Sequence, residues 1–294
     1  AELTLWIGFH QFWRQHHHVQ PHEPLLRDTG TLEHRDAVLA YDGVQHDPHR
    51  DRPDPTPKWT HPVTGELVPD PAAKLPYMEF LNPRPAAWPR ADFIVGNPPF
   101  LGEKRQREAL GDGYVDALRA AYPELSDNAD LVVYWWHRAA QEVAAGRTIR
   151  AGLITTQSLT QKTNRPAIAA AAKAGARISW AIADHYWNDG SDDARVRVAM
   201  TVIAMDPPSA TLVTVDGDAN VVGTARVPRL NLDLTAHADV AAASAVPLVA
   251  NAGLTSQGFK LVGDGFICDA AEAESLLRAD RRHGEVVRPF RNGK

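Results

Sequence analysis

The sequence predicts an α/β fold, and three local patterns predict it. An apolar run at Phe93 to Val95 stops abruptly at Gly96-Asn97-Pro98-Pro99. A second run, Gly152 to Ser158, turns from apolar to hydroxyl-rich and leads into an alanine-built helix from about Arg165 to Ala174. A third pattern pairs Ile178 to Ile182 with Val196 to Ala204 across Trp187-Asn188-Asp189-Gly190. Short aromatic and β-branched runs suit a buried pleated surface, and Asn-Asp-Gly is strong turn chemistry. The second strand-loop-helix repeats the plan of the first, and the third adds an antiparallel hairpin.

Composition bounds the class. With 294 residues, 44% hydrophobic and 23% charged, the chain is long enough for a sizeable core and a further lobe. The single Cys268 excludes an internal disulfide framework and a Cys-cluster zinc site, and suits a reducing compartment. No apolar run approaches the roughly 18 residues of a membrane span, and no signal-peptide pattern opens the chain, so a cytoplasmic location is expected. A net charge of −5 argues against a dedicated nucleic-acid binder, because phosphate contacts are made with Lys and Arg. Local clusters run against that average. Arg278, Arg281, Arg282, Arg288, Arg291 and Lys294 crowd the end, and Lys104, Arg105 and Arg107 follow the first strand. The second cluster is the better placed to meet nucleic-acid phosphates, although an exposed basic helix face is the more frequent explanation for such a run.

The stretch Asp92 to Phe100 holds the chemistry. A strand ending at Gly96 places Asn97 at a carboxyl edge, where open α/β sheets bind ligands. Each following proline loses its N–H and keeps its carbonyl acceptor. The Asn97 side-chain oxygen and the Pro98 carbonyl can together accept both hydrogens of one exocyclic amino group, drawing the nitrogen toward tetrahedral geometry and freeing its lone pair. Phe100 offers a flat face to an unstacked base, a contact worth roughly 1–3 kcal/mol. A Pro-Pro turn after a strand is the plainer alternative. Upstream, His34 to Tyr41 passes from polar residues to Val38-Leu39-Ala40, so Asp36 falls at a strand end or tight turn, where its carboxylate can accept a hydrogen bond. Thr156 to Ser158, at the end of the second strand, face the same cleft and are candidates to line a base pocket.

Asn97-Pro98-Pro99-Phe100 resembles the catalytic tetrapeptide of S-adenosylmethionine-dependent amino-methyltransferases, chiefly the adenine-N6 DNA methyltransferases. Ala1 to Trp13, Arg35 to Leu39, Gly111 to Leu118, Asp130 to Arg138, Gly152 to Asn164 and Trp187 to Met200 are similar to the large bacterial γ-type enzymes of restriction–modification and phage defence. The resemblance covers most of residues 1–205 and continues more weakly through Arg288 to Gly293. It implies a Rossmann-like class I methyltransferase sheet, mostly parallel with an antiparallel hairpin strand. It also implies S-adenosylmethionine as methyl donor, double-stranded DNA as partner, a flipped adenine and no metal. By the same resemblance Asn97, Pro98, Pro99 and Phe100 are catalytic; Asp36, with Ala37 and Asn97, holds the donor. Trp187 is a candidate stacking wall and Lys104 and Arg105 candidate phosphate contacts. Residues 1–205 become the catalytic domain, and 206–294 its end and the beginning of a target-recognition region, opening near Leu254 to Ile267.

Other segments carry expectations of their own. Residues 42–90, dense in Pro, His and Asp with Trp59 and Tyr77 as large anchors, read as a long, irregular, ordered surface insertion. Asp54 to Lys58 has an acid-then-lysine spacing found in metal nucleases, without a strand around it. His18 and His22 share a helix face, yet no carboxylate or Cys stands near. Gly111-Asp112-Gly113 and Gly263-Asp264-Gly265 are the G-x-G pairs, and neither follows a buried strand as a cofactor loop requires. A chain opening at Ala1 in an amphipathic helical pattern, without that loop, reads as lacking its first strands. Asp36 upstream of the tetrapeptide disfavours circular permutation. Two alternatives stay open: a catalytically silent DNA-recognition or complex-forming fragment, and a methyltransferase acting on rRNA or protein glutamine.

Overall fold

The structure, a computed structural model, describes residues 2–17, 30, 32–187, 196–237, 249–251, 253–254 and 267–289. It divides into two units, Ala1–Ala241 and Ala242–Lys294. The first begins with α1 (Glu2–His16), where the expected apolar pattern does form a helix. Leu3, Leu5, Ile7, Phe9 and Phe12 are all exposed on it.

The 42–90 segment is more regular than its composition suggests. Strands β1 (Leu39–Ala40), β2 (Gly43–His46), β3 (Arg52–Pro53) and β4 (Lys58–Thr60) run out, and β5 (Leu67–Pro69), β6 (Lys74–Leu75), β7 (Met78–Leu81) and β8 (Arg84–Pro85) return. They pair antiparallel and nested, β1 with β8, β2 with β7, β3 with β6 and β4 with β5, so that one long ribbon is cut into four short ladders. Proline cannot donate to a ladder, and Asp side chains offer the backbone a competing bond. Thus Asp54 accepts from the Thr56 N–H and Asp70 from the Ala72 N–H where the ladders break. Tyr77 is the buried anchor expected; Trp59, in the outer ladder, is instead exposed.

The ribbon returns to β9 (Phe93–Gly96), then α2 (Glu103–Leu110), α3 (Asp112–Ala121), α4 (Leu131–Ala144), β10 (Arg150–Thr156), α5 (Arg165–Lys173), β11 (Ala176–Trp187), β12 (Val196–Met205), β13 (Ala210–Val215) and β14 (Val221–Val227). These later strands form one six-stranded sheet in the order β14-β13-β11-β12-β10-β9. The mostly parallel sheet expected is not what the described residues form. The β9–β10 and β11–β13 pairings are parallel, and the other three are antiparallel. The cause is where the hairpin goes. β12 folds back from β11 and inserts between β11 and β10, replacing one parallel contact by two antiparallel ones.

Helix α4 is buried on most of its surface and supplies the centre of the core, with Val132, Val133, Trp136 and Ala139 fully buried. The one polar atom of Trp136 is satisfied, its indole N–H donating to Thr201 Oγ1 on β12 at 3.0 Å. Glu142, also buried, is held between Arg138 and Arg147, whose guanidinium groups keep its carboxyl below the usual range. A carboxylate buried without such partners would cost several kcal/mol.

The reading of Phe93 to Val95 as a buried strand requires correction. Phe93 and Val95 are 63% and 86% exposed, while Ile94 between them packs on the core. β9 is the last strand of the sheet among the described residues, and its period-2 alternation leaves one face uncovered.

In the second unit, Asp269 caps α6 (Ala270–Ala279) by accepting the Glu272 N–H at 2.8 Å. Asp280 does the same for a short 3-10 turn at Arg281–Glu285. Of the terminal basic cluster, Arg278 pairs with Glu274 and Arg282 with Asp280. Arg291, Lys294, His18, His22 and Gly263-Asp264-Gly265 lie outside the described residues. No helix among those described is long and apolar enough to cross a membrane.

Candidate active site

Asn97 follows directly on β9, whose last rung pairs Gly96 with Leu153 of β10. It is exposed at the strand's carboxyl end, Pro98 is buried, Pro99 exposed and Phe100 half-buried against the core. Among the described residues the Asn97 side chain has no hydrogen-bond partner, so its oxygen is available. Pro98 and Phe100 seat the loop from inside while Asn97 points away from that packing.

Asp36 forms the expected turn. Its Oδ1 accepts the N–H groups of Val38 and Leu39, each at 2.9 Å. Its Oδ2 accepts the Tyr114 hydroxyl at 2.7 Å. A carboxylate has about four acceptor positions, so one on Oδ2 remains for a single further N–H. Tyr114 belongs to α3 and packs edge-on against Phe80 of β7, with ring centroids 5.6 Å apart. Burial first, and then the bond to Asp36, raise its phenol well above the ordinary range, so the hydroxyl stays a donor at neutral pH. The carbonyl of Ala37 is taken by the Trp88 indole N–H at 2.5 Å, which fixes the backbone beside Asp36. Ala37 is thus held in place through its backbone, and Asp36 keeps an open acceptor.

Helix α3 also seats the ribbon. Tyr77 donates its hydroxyl to Asp116 at 3.0 Å, Arg50 pairs with the same carboxylate at 2.8 Å, and Arg52 pairs with Asp112. Burial and that bond push the Tyr77 phenol up to about 12. A Cβ at Gly113 would fall 1.7 Å from the Met78 carbonyl oxygen, so the ribbon and α3 touch through bare backbone. This explains Gly111-Asp112-Gly113 without a ligand: Gly111, at φ 83°, turns the chain from α2 to α3, and Gly113 is a contact point.

The basic cluster divides. Arg107 is engaged with Asp112 and Asp116 and belongs to the seat of the ribbon. Lys104 and Arg105 are exposed on α2 and make no ion pair among the described residues. Trp187 ends β11, half-buried and opposite Val196; the turn after it lies outside the described residues. Thr156 and Ser158, half-buried at the end of β10, are already hydrogen-bonded. Thr156 bonds to Ser158, and Ser158 donates to Asp130 at the start of α4. Tyr114 and Asp130 are thus functional candidates that local pattern did not reveal, because their partners lie 78 and 28 residues away. Among the described residues no cluster of three metal-binding side chains occurs.

A mixed α/β sheet that presents Asn-Pro-Pro-Phe at a strand's carboxyl end is the arrangement of an α/β methyltransferase domain. A family model described as the MmeI DNA-methyltransferase domain matches residues 1–214, and the chain belongs to that family. Among solved structures it matches one of the Type IIL restriction-modification enzyme MmeI in complex with DNA, at 22% identity and a TM-score of 0.44. That match spans 50% of this chain and 20% of the other. No curated protein matches.

Replacing Asp36 by alanine is expected to weaken S-adenosylmethionine binding about tenfold, because it removes the acceptor offered to the donor and one hydrogen bond to a charged acceptor is worth about 1.5 kcal/mol. Calorimetric titration of both proteins checks this. Equal affinities would remove Asp36 from the donor site.

Proposed function

We propose that this chain is the catalytic part of a restriction–modification methyltransferase that moves a methyl group from S-adenosylmethionine to N6 of a flipped adenine in double-stranded DNA. The unpartnered Asn97 amide, standing at the end of β9 with the Pro98 carbonyl beside it, carries this reading. S-adenosylmethionine, when bound, supplies an electrophilic methyl group. The fit rests on Asp36, whose remaining acceptor suits one N–H of an adenine amino group. Asn97 Oδ1 and the Pro98 carbonyl accept the two hydrogens of the target amine, orient it and leave its lone pair free to attack. Phe100 stacks on the flipped base. Extrusion is required because the amine inside a base pair cannot approach the donor in line.

In this reading residues 1–205 form the catalytic domain with the ribbon as an insertion, and 206–294 close it and open the target-recognition region. Lys104 and Arg105 meet phosphates, and Trp187 stands beside the flipped base. The family membership supports methylation of DNA over rRNA or protein glutamine.

The test is incubation of the purified chain with tritiated S-adenosylmethionine and unmethylated plasmid DNA, followed by hydrolysis to nucleosides. Label in N6-methyl-2′-deoxyadenosine is the expected result. Label in N4-methylcytosine would overturn the adenine assignment, and donor binding without any label would favour a silent recognition fragment.

A further inference from the structure

We propose that Asp130 is a positioning residue for the Asn97–Phe100 loop, a clamp that ties the loop's far end to the strand beside it. The inference rests on the reading of Asn97 as catalytic. Asp130 stands at the N-cap of α4, where an aspartate ordinarily accepts an N–H from its own first turn. It makes no such bond. Its Oδ1 instead accepts the Glu103 N–H, the first amide of α2, at 3.1 Å. Its Oδ2 accepts from Ser158, just beyond β10, and from Asn164 Nδ2 at 3.3 Å.

The connections close a ring. Upstream, the loop is held by the β9–β10 ladder, which ends at Gly96 and Leu153. Downstream, Leu101 O accepts the Leu131 N–H at 3.0 Å, and Gln106, itself buried, donates to Ala129 O at 2.9 Å. Asn164, only 1% exposed, donates to Ser158 O at 2.8 Å and accepts the Asp130 N–H at 3.2 Å. Ser158 spends its single hydroxyl proton on Asp130, so Thr156 must donate to Ser158. A directed chain of donors thus runs from the end of β10 to one carboxylate, which passes the constraint to the helix that the tetrapeptide enters. The four residues from Asn97 to Phe100 span two fixed points, and Asp130 sets the second.

Asp130→Ala and Asp130→Asn separate positioning from bulk stability, because the amide keeps an acceptor for the Glu103 N–H while alanine keeps none. In the full chain, Asp130→Ala is expected to lower kcat for plasmid methylation about a hundredfold, the loss that a misplacement of about 1 Å brings. The KM for S-adenosylmethionine should move by less than about twofold, and Asp130→Asn, which keeps the Glu103 acceptor but sets an N–H group against the Ser158 and Asn164 donors, should recover kcat in part, to about tenfold below wild type. Hydrogen exchange supplies a readout independent of activity: the Glu103 amide should exchange about tenfold faster in Asp130→Ala and not in Asp130→Asn.

Unchanged Glu103 exchange in Asp130→Ala would overturn the clamp whether or not the chain methylates DNA. A wild-type kcat in Asp130→Ala would overturn it too, as would a parallel loss of kcat and donor affinity that Asp130→Asn fails to restore. Wild-type protein that forms no N6-methyladenine, with the exchange result as expected, would overturn the functional reading instead.

Discussion

Replacing Asn97 by alanine is expected to lower methyl transfer into DNA by at least about a hundredfold, the size of effect that follows when one group aimed at a developing charge is removed. The structure explains why the loss should be selective. Asn97 is exposed and has no hydrogen bond to other described residues, so its removal leaves no buried group unpaired. Pro98 and Phe100, which seat the loop, are untouched. Melting temperature and S-adenosylmethionine affinity should therefore stay close to wild type while the rate collapses. Tritium incorporation, donor titration and thermal unfolding on the same preparations check the three parts together. Equal activity in the variant would end the mechanism.

The largest structural effect is expected at Gly113. An alanine there would drive its Cβ to 1.7 Å from the Met78 carbonyl oxygen, and because the obstacle is backbone, a side-chain rotation cannot relieve it. Either α3 or the ribbon must move. The ion pairs of Arg50 and Arg52 and the Tyr77 hydroxyl bond all cross this contact and are strained together. A loss of about 3 kcal/mol is expected, the upper part of the range for an overpacked site. Limited proteolysis within residues 42–85 should become faster, and denaturant unfolding measures the energy. Tyr114 is the next residue, so donor affinity should fall as well. A Gly113→Ala protein with wild-type stability and cleavage pattern would mean that the ribbon is not seated on α3.

Legibility in the sequence followed the range of each interaction. Strands β9, β10, β11 and β12, the turn at Asp36 and helix α5 were readable because periodicity, turn chemistry and alanine content act within a few residues. The ribbon was not, since ladders of two to four residues broken by prolines and Asp turns leave no period-2 run long enough to detect. The exposure of Phe93 and Val95 depends on what lies across the sheet, and an apolar residue carries no mark of that. Asn97 announced itself through its neighbours, whereas Tyr114 looks like any core tyrosine. Asp130 is the instructive failure. Its place before an apolar helix would assign it to capping that helix, and only the fold reveals that it caps a different one.

The insertion of β12 between β10 and β11 has a consequence for how the protein is made. β12 is the last of the three to leave the ribosome, yet it fills the slot between the other two, and its register joins Arg150 to Ala204 across a long stretch of chain. β11 can pair with β12 as a hairpin from Val196 onward, but the facing edge of β10 has no partner until β12 has emerged, and free strand edges invite pairing with other chains. Such non-local pairing is also slow to form. The nascent domain therefore passes through an interval in which its centre is open, and chaperone demand should concentrate there.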